Sequence, residues 1–131
     1  MSSPSLSPTE ELMGQVEKIC RRKTRFKPDA YYFVIAGLQY TVSQLPESRH
    51  ITGQELSQGL RCYGLEQFGP LASTVFDHWG IRGTEDFGAI VFTLVNARLL
   101  RKTETDSLDD FREVYDFCQA FDPEPLYRLP H

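Results

Sequence analysis

The stretch from Gly69 to Phe117, GPLASTVFDHWGIRGTEDFGAIVFTLVNARLLRKTETDSLDDFREVYDF, decides how this chain is read. Gly69-Pro70 restarts the chain after an upstream helix. Leu71, Val75 and Trp79 then align at i, i+4 and i+8 on one helical face. Gly80 suits the left-handed residue that ends a helix. Only Ile81, Arg82 and Gly83 separate it from Thr84, the next expected N-cap, and so short a turn predicts a steep helix crossing, as in a helix-turn-helix. The helix from Glu85 to about Leu99 carries Phe87, Ile90, Val91, Phe92, Leu94, Val95 and Leu99, which cover well over half its circumference. The remaining face holds Glu85, Asp86, Ala89, Thr93 and Asn96, and is expected to meet solvent as an anionic and neutral surface.

Beyond that helix come Leu100-Arg101-Lys102-Thr103 and the turn-rich Asp106-Ser107-Leu108-Asp109-Asp110. Phe111, Glu113, Tyr115 and Phe117 then alternate with Arg112, Val114 and Asp116, the period of a strand. Phe111, Val114, Tyr115, Cys118 and Phe121 also fit a helix, which Ser107 with Asp110 could cap. Taken as a strand, the segment completes the order helix, turn, helix, charged hairpin. The expected fold is therefore mainly α: about five helices, with a helix-turn-helix and a C-terminal β-hairpin, winged-helix-like.

Upstream, residues 1–7 are rich in Ser and Pro and are expected to be a disordered tail, with residues 8–131 as a single globular domain. Ser7 as N-cap, Pro8 and Glu10 open a first helix bearing Leu12, Val16, Ile19 and Cys20 on one face. Pro28 with Asp29 opens a second, whose stripe of Ala30, Phe33, Val34, Gly37, Leu38, Thr41, Val42 and Leu45 signals core; Pro46 stops it. Gly37 inside that stripe costs about 1 kcal/mol against Ala unless another contact compensates, so a close helix crossing is expected there. Thr52 and Glu55 form a capping box ahead of a helix with Leu56, Leu60 and Tyr63 facing inward.

At 131 residues the chain has the length of one domain, able to bury roughly two thirds of its unfolded surface without a metal or disulfide. Nothing in it approaches the ~20 apolar residues of a membrane span, and the N-terminus lacks the basic start and apolar core of a signal peptide. Cys20, Cys62 and Cys118, odd in number and far apart, point to reduced thiols and a cytoplasmic location. The net charge of −4 is unevenly shared: residues 1–66 carry +1 and residues 67–131 carry −5. The basic charge concentrates in Lys18, Arg21, Arg22, Lys23, Arg25 and Lys27.

Candidate chemistry follows from these patterns. Base readout leans on Arg, Lys, Asn and Gln at the start of a recognition helix, and affinity on neutralised phosphates. Glu85 and Asp86 occupy that start here, and Asp106, Asp109 and Asp110 would sit at the wing tip, so specific DNA binding is disfavoured. The cluster Lys18, Arg21, Arg22, Lys23, Arg25 and Lys27 holds more cations than a helix terminus needs, which makes it a candidate for RNA, the ribosome or another polyanion. Asp77-His78-Trp79 invites a general base, but neighbours on a helix point about 100° apart and pair poorly. The three histidines form no metal-ligand spacing, Glu104 to Asp110 lacks the EF-hand glycine and terminal glutamate, and there is no phosphate-cradling Gly-rich loop. No cofactor, catalytic residue or metal site is assigned. The leading expectation is a non-enzymatic protein-interaction or regulatory module with a protein partner; polyanion binding through residues 18–27 is the alternative, and an unrecognised enzyme the third.

Several longer strings carry a resemblance. Phe26-Lys27-Pro28-Asp29-Ala30-Tyr31-Tyr32-Phe33-Val34, Gln67-Phe68-Gly69-Pro70-Leu71-Ala72, His78-Trp79-Gly80-Ile81 and Thr84-Glu85-Asp86-Phe87-Gly88 are similar to the "Minf" family of small planctomycete and verrucomicrobial conserved hypothetical proteins. Lys102-Thr103, Asp110-Phe111 and Val114-Tyr115-Asp116-Phe117 extend the resemblance, which spans about residues 10 to 122. It implies a bacterial, cytosolic origin and carries no activity, cofactor or site residue to this chain.

Overall fold

The computed structural model describes residues 8–22, 25–47, 49–100 and 108–121. Among them run α1 (Pro8–Cys20), α2 (Pro28–Ser43), α3 (Gly53–Phe68), α4 (Ala72–Trp79), α5 (Thr84–Asn96) and the single-turn α6 (Phe117–Ala120). Two 3₁₀ turns, Gly69–Leu71 and Leu108–Phe111, link α3 to α4 and lead towards α6. The expected tail at residues 1–7, its Ser7 cap and the turn residues Asp106 and Ser107 lie outside the described residues.

Local chemistry sets the helix boundaries. Pro28 occupies the first turn of α2 behind the extended Lys27, where a missing N–H costs nothing. Thr52 and Glu55 form the reciprocal cap of α3: the Glu55 N–H donates to Thr52 Oγ1 at 3.1 Å and the Thr52 N–H to Glu55 Oε1 at 3.0 Å. Gly37 meets α3 so closely that a Cβ there would collide with the Leu60 side chain. Close packing thus offsets the helix-propensity cost of about 1 kcal/mol. α4 ends at Gly80 with φ 91°, and the Ile81 N–H donates to the Phe76 carbonyl at 2.8 Å. Four residues, Gly80 to Gly83, then lead into α5.

Thr84 is not the N-cap of α5. Gly83 takes that position and Thr84 lies within the first turn, its Oγ1 accepting from the Val114 N–H at 3.2 Å. The core centres on Phe76, fully buried, whose ring lies 4.9–6.2 Å from those of Phe33, Phe68, Trp79, Phe87, Phe117 and Phe121. Edge-to-face geometry dominates these pairs, the arrangement that ring quadrupoles favour.

The C-terminal hairpin expected from sequence is absent: there is no strand among the described residues, and with it goes the winged-helix shape. Residues 108–121 instead form a 3₁₀ turn, a reversal and α6. Phe111 is buried between α3 and α5, where a Cβ on either Gly53 or Gly88 would stand 2.9 Å from its ring. Glu113 has φ 45°, a left-handed conformation that interrupts strand and helix alike. Its exposed N–H donates to the Glu85 carboxylate at 2.6 Å, so α5 supplies the partners a sheet ladder would have given. Tyr115 donates to the Ser57 carbonyl at 2.8 Å, and Asp116 caps α6 by accepting from the Cys118 and Gln119 N–H groups. The alternation of aromatic and polar residues therefore marks an irregular seal, in which Phe111, Tyr115, Phe117 and Phe121 close over the core.

Candidate functional site

The anionic start of α5 is engaged within the fold: Glu85 is exposed but bonded, and Asp86 is internal. Asp86 is buried, accepts from the Arg82 N–H at 2.7 Å, and pairs with the Arg25 guanidinium. Glu85 is engaged by the Glu113 N–H. Ala89 and Thr93 are half-buried, and of the face expected to meet solvent Glu85 and Asn96 are exposed, one at each end. This corrects the sequence expectation of a continuous anionic surface. The physical reason is that Arg25 and the C-terminal segment, both distant in sequence, fold over the first turn.

The basic residues separate in space. Lys18 and Arg22 stand together on the wall of a cleft of about 360 Å³ between α1, α2 and α5, along with Gln15, Ile19, Tyr31, Thr93, Asn96 and Ala97. Arg21 is exposed and does not line that cleft. Arg25 is turned to Asp86 and lies 4.8 Å above the Phe26 ring. Lys27 is exposed, and its backbone N–H donates to the Trp79 carbonyl at 3.1 Å. Lys23 lies outside the described residues. The five described ones do not form one continuous strip.

Asp77 and His78 do not pair. The Asp77 carboxylate takes the Arg82 Nε–H at 3.1 Å, and His78 is exposed. Among the described residues no group of His, Cys, Asp and Glu is arranged to hold a metal ion.

A different feature was not legible as a site. Between α2, α3 and α4 runs an open groove of about 270 Å³ lined by Asp29, Tyr32, Phe33, Ala36, Tyr63, Gln67, Phe68 and Trp79. Phe33, buried, forms its floor, and the rings of Tyr63, Phe68 and Trp79 stand 5.3–5.9 Å from it. Phe68 and Trp79 meet nearly at right angles, 82° apart, as two walls. Tyr32, Tyr63, Phe68 and Trp79 are all half-buried, so apolar ring surface faces water.

Among the described lining residues the groove carries one carboxylate, on its α2 side. Asp29 is exposed at the rim. Burial, then the nearby charges of Glu17 and Asp29, push the Tyr32 hydroxyl up from its ordinary pKa. Tyr40, whose ring is 5.2 Å from Tyr63, is raised first by its hydrogen bond to the Glu66 carboxylate. Periodicity had assigned Trp79 and Tyr63 to the core, which is half true: each packs on Phe33 with one side and meets the groove with the other. Tyr32 and Phe68 fall off the apolar stripes of their helices, and that displacement was the available signal.

No helix among the described residues is long and apolar enough to cross a membrane. Comparison with protein-family models, with curated proteins and with solved structures found no match for this chain.

Proposed function

We propose that this protein is a recognition module that binds a protein partner in the groove between α2, α3 and α4. The occupant is a short segment presenting an apolar side chain flanked by Lys or Arg. The observation that carries this is the concentration of half-exposed rings, Tyr32, Tyr63, Phe68 and Trp79, around a buried Phe33 floor. Such aromatic surface, rigid and partly apolar, is what protein interfaces use as energetic anchors. Asp29 at the rim, with Glu17 near Tyr32, gives the basic flank its complement, and a cation above a Tyr or Trp face gains further. Recognition by the start of α5, as in a DNA-reading helix, is disfavoured in this reading because Thr84, Glu85 and Asp86 are engaged within the fold. A reducing cytosol is the setting we assign, in keeping with three free thiols.

Selection from a random peptide display library tests this. Binders are expected to share one apolar anchor bordered by Lys or Arg. Tyr32→Ala should weaken them about tenfold, the scale of one interface anchor. Asp29→Lys, at an exposed position that leaves the core intact, should shift the selected flanks towards Asp and Glu. Enriched peptides insensitive to both substitutions, or no enrichment at all, would refute the assignment.

A further inference from the structure

We infer that the cleft between α1, α2 and α5 is a binding site for a small phosphate monoester bearing one ring system. It is distinct from the aromatic groove, and neither reading depends on the other.

The cleft is built by helical spacing. Gln15, Lys18, Ile19 and Arg22 recur at i, i+3, i+4 and i+7, which places them along one face of α1 and its terminal turn. That turn continues the helical path, since the Arg21 N–H donates to the Glu17 carbonyl at 3.0 Å and the Arg22 N–H to the Ile19 carbonyl at 3.1 Å. Thr93, Asn96 and Ala97 of the α5 end form the facing wall, with Tyr31 of α2 behind them. The converging donors are one ammonium, one guanidinium and two side-chain amides, a set that matches the oxygens of a phosphate. Among the described residues no carboxylate lines the cleft.

Two further observations bear on what this site can hold. Lys18 and Arg22, like Arg21, Lys27, Arg61 and Arg98, have no ion pair among the described residues, but these two line one cleft together, with side-chain amides in its walls. The lining also changes character across the cleft: half-buried Ile19 and Ala97 offer apolar surface beside the charged donors, with Tyr31 buried behind them, as suits a ligand with an anionic and a ring-bearing end. At about 360 Å³ the volume lies near the lower end of the range for small-molecule sites, roughly 300–1,000 Å³. A long polyanion fits this arrangement less well, because Arg21 lies off the lining and Arg25 is held by Asp86.

The test is a titration of the isotopically labelled full chain, followed by amide and side-chain NMR shifts. The probes are adenosine monophosphate, adenosine, inorganic phosphate and a single-stranded RNA dodecamer. Adenosine monophosphate is expected to shift Thr93, Asn96 and the Gln15 side-chain amide, with adenosine silent and inorganic phosphate weaker. Lys18→Gln and Arg22→Gln should each weaken binding about tenfold, the scale of one charge-assisted hydrogen bond, while Arg21→Gln leaves it within about twofold. All three positions are exposed, so the variants keep the fold and act as matched controls. Absence of these shifts at millimolar adenosine monophosphate overturns the inference. So does equal sensitivity to Arg21 and Arg22 with tighter RNA binding, which would mark a polyanion surface instead. Inorganic phosphate binding as tightly as adenosine monophosphate would likewise remove the ring-bearing ligand.

Discussion

Asp86 changes role between sequence and structure. On a helical projection it belongs to the polar face of α5, with nothing to indicate a partner. In the fold its side chain is 10% exposed, held by Arg25 from before α2 and by the Arg82 N–H at 2.7 Å. A carboxylate in the first turn also complements the helix dipole. Replacing it leaves a backbone N–H without its acceptor and a guanidinium without its partner. Asp86→Ala is therefore expected to lower the unfolding free energy by about 2–4 kcal/mol, measured by urea denaturation. Arg25→Gln should cost only about 1 kcal/mol, because that guanidinium is 62% exposed and water replaces much of what is lost. Equal losses for the two variants would contradict the assignment of Asp86 as the internal member. Sequence could name both residues but not join them, since the pairing depends on how the segment ahead of α2 lies across α5.

Elements with locally written boundaries were legible, and those defined by tertiary partners were not. Pro28, the Thr52–Glu55 box and Gly80 each act within a few residues of themselves, so their signals survive in any fold that keeps the helix. Thr84 and Glu113 depend on each other's segments: the hydroxyl oxygen of the first accepts from the Val114 N–H, and the second, left-handed, donates its N–H to the Glu85 carboxylate. The wing was misread for this reason, its alternation being real but its backbone bonds going to α5. The cap of α3 permits a direct test of the local case. Glu55 accepts two bonds from Arg49, at 2.7 and 3.1 Å, and one from the Thr52 N–H, which together hold its pKa down at about 2. A carboxyl depressed in the folded state stabilises above its ordinary value of 4.5 and loses that contribution as pH falls towards 2. Arg49→Gln should raise the Glu55 pKa towards 4.5, followed by carboxyl-carbon NMR, and acid loosening of the α3 start should begin at higher pH. An unchanged Glu55 titration would show that Arg49 does not control this cap.

Over the whole molecule, one aromatic core serves two ends of the chain. Phe76 joins Phe33, beneath the groove, to Phe117 and Phe121, within the C-terminal seal. The groove's rings are thereby fixed by the same packing that closes the fold, which is how a recognition surface gains rigidity without dedicated support. Helix count and most core stripes could be read from periodicity, but α4 buries Ala72 and Phe76 and leaves Leu71 of the expected Leu71, Val75 and Trp79 stripe exposed. The groove could not, because half-buried rings at the edge of a stripe look like core until the neighbouring helix is seen to stop short of them. Trp79 is the chain's single tryptophan and forms one wall of the groove, so its emission reports occupancy without labelling. The most direct measurement is a fluorescence titration with a peptide carrying one Leu or Phe anchor between Lys residues. A saturable change in Trp79 emission is expected, weakened about tenfold by Tyr32→Ala and lost with a peptide whose Lys residues are replaced by Glu. Emission unaltered by the basic peptide, or altered equally by the acidic one, would contradict the account.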